Sequence, residues 1–148
     1  MNKNAKKAYD LIHDLAKYEV NDVVYKTYTI RASDGEIFSI IEAYCVGPDI
    51  EVDYYYQANE DHFDFRYYSR FGKCIGNEKK LFRSAQEAVD NEILHYKNKL
   101  ENYQNTRMQS DSEKVKEQTI KYYNDCIEKW QSITDVDGCV RYVDFIGE

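Results

Sequence analysis

From Val23 to Phe71 apolar and aromatic residues alternate with polar ones through four stretches, 23–31, 37–46, 50–57 and 62–71. Successive side chains of a strand point to opposite faces, so this period of two specifies β-structure and argues against helix over the whole region. The first two stretches are joined by Ser33-Asp34-Gly35-Glu36, and Asp-Gly between such runs signals a hairpin because the turn needs positive φ. Gly47-Pro48-Asp49 reads as a second turn and Asn59-Glu60-Asp61 as a third, giving a four-stranded antiparallel meander. Ile50, Val52, Tyr54 and Tyr56 share one face of the third strand, and Phe63, Phe65, Tyr67 and Phe71 are expected to face the core from the fourth.

Helical spacing frames this sheet. Ala5, Ala8, Tyr9, Ile12, Leu15 and Ala16 predict a short amphipathic helix over 3–18. Ser84-Ala85-Gln86-Glu87 is a capping box, followed by an apolar stripe from Ala85 to Tyr103. The polar stretch 104–112 interrupts the stripe, and Ser110-x-x-Glu113 offers a second cap before Val115, Tyr122, Tyr123, Cys126 and Trp130. Two helices are expected rather than one of almost fifty residues, which would lack a partner along its length. Residues 139–146 read as a last strand at a sheet edge, and the Gly72–Lys80 segment as a flexible hairpin tip. The expected fold is α+β: an N-terminal helix, an antiparallel β-meander of four to five strands and a C-terminal helical hairpin, in a single domain of 148 residues.

A chain of this length buries roughly two-thirds of its unfolded surface. Fifteen tyrosines and 43% hydrophobic residues place it outside the intrinsically disordered class, despite a mean hydropathy of -0.78. With no apolar run of membrane length and no signal-peptide pattern, the expected location is the cytoplasm of a host cell, without membrane association. Cys45, Cys74, Cys126 and Cys139 lie far apart and are expected as buried free thiols. The spacing of cysteines and of His13, His62 and His95 suggests no metal and no cofactor. Nothing resembling a catalytic motif appears, so the chain is expected not to be an enzyme; Gly72 to Lys80 lacks the glycine spacing and the Gly-Lys-Ser/Thr ending of a phosphate loop.

Charge is sharply segregated. Residues 34–65 carry -9 with no lysine or arginine, and residues 66–83 carry +5. Such segregation speaks to partners rather than to fold.

The segment Leu81-Phe82-Arg83-Ser84-Ala85-Gln86-Glu87-Ala88, after the Gly72-Lys73 turn, resembles a strand-to-helix pattern of small phage and mobile-element accessory proteins of Gram-positive bacteria. The resemblance implies a class that binds host machinery and includes anti-CRISPR proteins. It also implies that Phe82 docks the strand while Ser84 and Glu87 cap the helix.

Two candidate surfaces follow. Glu51, Asp53, Glu60, Asp61 and Asp64, with Tyr55 and Tyr68, match the charge of nucleic-acid phosphates and add large contact area at low side-chain entropy cost. Such a surface would act as a DNA mimic toward a host nucleic-acid-binding protein, for instance a Cas nuclease. The bland alternative is a solvated sheet face, with Glu51 and Asp64 paired to Arg66 or Arg70. The second surface, Arg66, Arg70, Lys73, Lys79, Lys80 and Arg83 with Tyr68, interleaves cations and rings as single-strand binders do. The acidic total disfavours direct nucleic-acid binding. Aromatic residues left over at the surface leave room for a homodimer.

Overall fold

The computed structural model describes Ile12 and residues 14–145. In chain order its elements are β1 (Val23–Arg31), β2 (Ile37–Gln57), β3 (Glu60–Ser69), β4 (Cys74–Asn77), α1 (Ala85–Thr106), α2 (Glu113–Gln131) and β5 (Val140–Val143). Short 3-10 turns fall at Glu78–Lys80, Met108–Ser110 and Asp137–Cys139. The class is α+β: the described residues form a five-stranded sheet ordered β1-β2-β3-β4, with β5 on β2, and two helices after β4. Most of the expected helix over 3–18 lies outside the described residues; Ile12, Asp14 and Leu15 are helical, and the Ala16 N–H donates to the Ile12 carbonyl at 2.9 Å.

The Asp-Gly hairpin forms as the sequence predicts. Gly35 takes φ +90, its N–H donates to the Ala32 carbonyl at 2.9 Å, and the Ala32 N–H donates to Glu36. The second expected turn is absent. Gly47-Pro48-Asp49 lies inside β2, which runs 21 residues without a break. Val46 faces Ser69 and Ile50 faces Tyr67, so four steps on β2 oppose two on β3. That is a bulge, and a bulge tolerates the missing N–H of Pro48 as readily as a turn does. A Cβ at Gly47 would overlap the Ser69 carbonyl, so glycine is required there by space.

Three other expectations change. The segment 74–77 forms β4 against β3, anchored by the buried Ile75, where a loose tip was expected. β3 ends at Ser69 and the Gly72 N–H donates to the Ser69 carbonyl, so Phe71 sits in a turn and is exposed rather than in the core. β5 pairs with β2 rather than with an outer strand, and the residue after it, Asp144, accepts from the Ser69 hydroxyl at the end of β3.

The described chain divides into two compact units. The first takes in the described residues up to Val24, Ala43–Phe82 and those from Tyr142 onward. Tyr18, Tyr44, Val46, Phe65, Tyr67, Ile75 and Leu81 form its core. Buried polar atoms there are satisfied in a network. The Tyr18 N–H donates to the Tyr67 hydroxyl at 3.2 Å, the Tyr67 hydroxyl donates to Glu78 Oε2 at 2.5 Å, and the Tyr18 hydroxyl donates to the Leu81 carbonyl at 2.7 Å. Burial, reinforced by the Glu78 bond, raises the Tyr67 phenol well above its ordinary range. Above about pH 10 the unfolded chain releases this proton while the folded chain retains it, so stability falls as pH rises. Tyr67→Phe should therefore flatten the alkaline decline in urea midpoint. At pH 7 it should cost about 1–3 kcal/mol, because the Tyr18 N–H loses its acceptor.

The second unit comprises Tyr25–Glu42 and Arg83–Arg141. Ser84 caps α1, its hydroxyl accepting from the Glu87 N–H at 3.1 Å. The cap of α2 is Ser112, accepting from Val115 N–H at 3.3 Å, and not Ser110, whose hydroxyl donates to the Arg107 carbonyl within the 3-10 turn. Ile41, Ala85, Val89, Trp130 and Val136 form one core cluster, and Ile37, Tyr96 and Cys126 another. Tyr96 and Tyr103 are buried and Tyr122 and Tyr123 half-buried, with Tyr96 edge-on to Tyr122. These helical rings are packing groups.

Candidate functional site

Ile50 and Val52 on β2 and Phe65 and Tyr67 on β3 are the last facing pairs to reach the core of the first unit. Beyond them the two strands continue as a ribbon. Here the alternation persists but no core lies beneath it: Tyr54 is 58% exposed, Tyr56 64% and Phe63 41%. The sequence placed Phe63 toward the core, and that expectation is overturned. Burial of these three rings would need a layer that this unit does not place under the ribbon.

Cross-strand register assigns the ribbon's faces. Tyr54 opposes Phe63 and Tyr56 opposes Asp61 on one face; Glu51 opposes Arg66, Asp53 opposes Asp64, Tyr55 opposes His62 and Gln57 opposes Glu60 on the other. Six of the seven expected partner-binding residues, Glu51, Asp53, Tyr55, Glu60, Asp64 and Tyr68, therefore share one face. Asp61 lies on the opposite one, where it accepts from the Tyr54 hydroxyl at 2.6 Å. That bond raises the Tyr54 phenol, as the bond to Glu51 raises that of Tyr68.

The ribbon is held by ring contacts. Tyr55 stacks on His62 with centroids 4.9 Å apart, and Tyr54 lies 5.3 Å from Phe63. Such pairs contribute roughly 0.2–1 kcal/mol each, and a lone two-stranded ribbon is marginal without them. Two features work against it. Asp53 and Asp64 face each other as like charges, which is destabilising. The turn is Ala58-Asn59, one residue earlier than expected, with φ 55 and 64. A left-handed alanine costs roughly 1–2 kcal/mol, so Ala58→Gly should raise the unfolding free energy, measured by urea titration, by about 0.5–1 kcal/mol. Local choices that oppose the fold concentrate where a surface serves something else.

Some carboxylates are paired. Arg66 Nη1 lies 3.2 Å from Glu51 Oε2, the Tyr68 hydroxyl donates to Glu51 Oε1 at 2.5 Å, and Lys79 Nζ is 4.0 Å from Asp64. Asp53 and Glu60 have no such partner among the described residues. The sequence anticipated the Glu51–Arg66 pair; Asp64 turns to Lys79 instead of Arg66 or Arg70.

Most residues of the expected basic surface are engaged by other groups. Arg66 and Lys79 are engaged by the acidic face, Arg70 donates to Asn21 at 3.4 Å, Lys73 lies over the Tyr44 ring at 5.4 Å, and Lys80 is exposed. Arg83 belongs to the second unit.

Cys45 and Cys126 are buried free thiols, whereas Cys74 and Cys139 are exposed, contrary to expectation. Among the described residues no group of His, Cys, Asp or Glu is placed to hold a metal ion, and no helix is long and apolar enough to cross a membrane. No family model, curated protein or solved structure matches this chain.

The rings of Tyr54, Tyr56 and Phe63 were missed as surface groups. One signal was present: Tyr54-Tyr55-Tyr56 puts rings on both faces of one strand, which suits a ribbon with no core on either side.

Proposed function

We propose that this is a non-enzymatic binding protein whose β2–β3 ribbon occupies a nucleic-acid-binding groove on another protein. In the setting that the resemblance of Leu81–Ala88 suggests, it is an inhibitor of a host defence nuclease. One observation carries the reading. Past the pair Val52 and Phe65, the ribbon places five carboxylates, counting Glu51 at its base, and four exposed rings where they bury nothing of their own unit. Carboxylates stand in for phosphates, and tyrosines add contact area with little entropy to lose.

Asp53→Lys/Glu60→Lys is the variant of choice, because among the described residues neither carboxylate makes a hydrogen bond or close ion pair, and the first change relieves the Asp53–Asp64 repulsion while giving up the longer-range attraction of Asp53 for Arg66. The melting midpoint should hold or rise. Capture of a nuclease-resistant partner from a Gram-positive bacterial lysate should be lost, and added duplex DNA should displace that partner from the native protein.

A second reading has its own observation. β4 pairs with β3 only at 66–68, so among the described residues no strand pairs with 60–65 of β3 on the β4 side, and acids on such an edge block strand addition. Lysines guard an edge as well as acids do. Under this reading the double variant stays monomeric and its capture profile is unchanged.

A further inference from the structure

We infer that the Tyr54, Tyr56 and Phe63 face of the ribbon docks an arginine-rich protein surface in preference to a lysine-rich one. The inference rests on the binding role proposed above and names the chemistry of the partner. The face is aromatic and exposed, with ring contact between Tyr54 and Phe63 at 5.3 Å. A bare aromatic face can take many occupants, and charge decides among them. Asp61 is the one carboxylate among 51–64 on this face; Glu51, Asp53, Glu60 and Asp64 lie on the opposite face of the same thin ribbon, and 51–64 hold no lysine or arginine, so a cationic occupant is complementary and a nucleic acid or acidic peptide is repelled.

The kind of cation follows from the layout. Tyr56 directly opposes Asp61, so an open ring and a carboxylate sit side by side on one face. Asp61 Oδ1 accepts from Tyr54, which fixes the carboxylate, and Oδ2 makes no hydrogen bond among the described residues. A guanidinium is planar and weakly hydrated; it can lie on a ring while its edge N–H groups reach a carboxylate. An ammonium keeps its hydration shell and has no plane to stack. Ring and carboxylate together therefore read arginine, where carboxylates alone would read any cation.

The test titrates fluorescein-labelled nona-arginine and nona-lysine into the full chain, by anisotropy and by amide chemical-shift mapping. Nona-arginine should bind about fivefold or more tighter, with shifts centred on 51–64. Tyr54→Leu/Tyr56→Leu should bring the two peptides to equal affinity and leave nona-lysine binding unchanged. Equal affinity for both peptides in the native protein overturns the arginine preference while the acidic ribbon reading stands. If neither peptide shifts the ribbon resonances, both fall. Concentration-dependent broadening of the Tyr54, Tyr56 and Phe63 signals without peptide would assign the face to a second copy and overturn the inference.

Discussion

Trp130→Ala should lower unfolding free energy by about 3–5 kcal/mol, a large part of what a chain of this size has to lose. The indole is fully buried among Ile41, Ala85 and Val89, and its Nε1–H donates to Thr29 Oγ1 at 2.7 Å. Alanine empties the largest volume in the second unit and leaves the Thr29 hydroxyl without its donor. Urea unfolding followed by far-UV circular dichroism measures the loss. Trp130→Phe fills most of the cavity and should cost roughly half as much, because only the hydrogen bond and the outer ring volume are missing. Near-equal costs for the two variants would place the energy in the Thr29 bond rather than in packing.

Gly47→Ala should cost about 3 kcal/mol, more than an overpacked methyl usually does. The added carbon meets the carbonyl of Ser69 and the Cα of Arg70, backbone atoms that cannot rotate aside. Relief requires moving β3 away from β2 at the bulge, where Arg70 N–H donates to the Cys45 carbonyl at 3.2 Å. The matched control is Gly72→Ala. There φ is +85 and nothing lies within 4 Å of the new carbon, so only the conformational penalty of about 1 kcal/mol applies. A Gly47 variant no worse than the Gly72 one would mean that the bulge yields.

Much of the fold was legible because local chemistry and global outcome agree. β1 has the bounds that its alternation gives, and the Asp34-Gly35 turn closes as its positive φ demands. Ser84 caps α1 through Glu87, and the polar stretch after Tyr103 divides the helices. Gly47-Pro48-Asp49 was not legible in the same way. A turn and a bulge both suit glycine and proline, and only the pairing of Val46 with Ser69 and Ile50 with Tyr67 separates them. β4 escaped notice because four residues with a single buried side chain leave no period to count.

The site was half legible. Alternation put Glu51, Asp53 and Tyr55 on one face of the third stretch and Asp64 and Tyr68 on one face of the fourth; the register joins these two faces and adds Glu60, while Asp61 goes to the other. Alternation cannot say whether a layer lies beneath the other face. Tyr54 and Tyr56 repeat the spacing of Ile50 and Val52, yet the first pair is exposed and the second packs on the core. The difference is set by where the ribbon outruns Tyr18, Tyr44 and Ile75, which are distant in sequence.

Excision of the ribbon is the most direct measurement. Replacing Tyr54 to Phe63 by Asn-Gly closes a two-residue turn on the facing pair Asp53 and Asp64 and removes every ring beyond the core. If the ribbon serves a partner rather than the fold, the shortened chain melts within a few degrees of the native one or above it, and partner capture disappears. A shortened chain that no longer folds, or that captures the same partner undiminished, would contradict this.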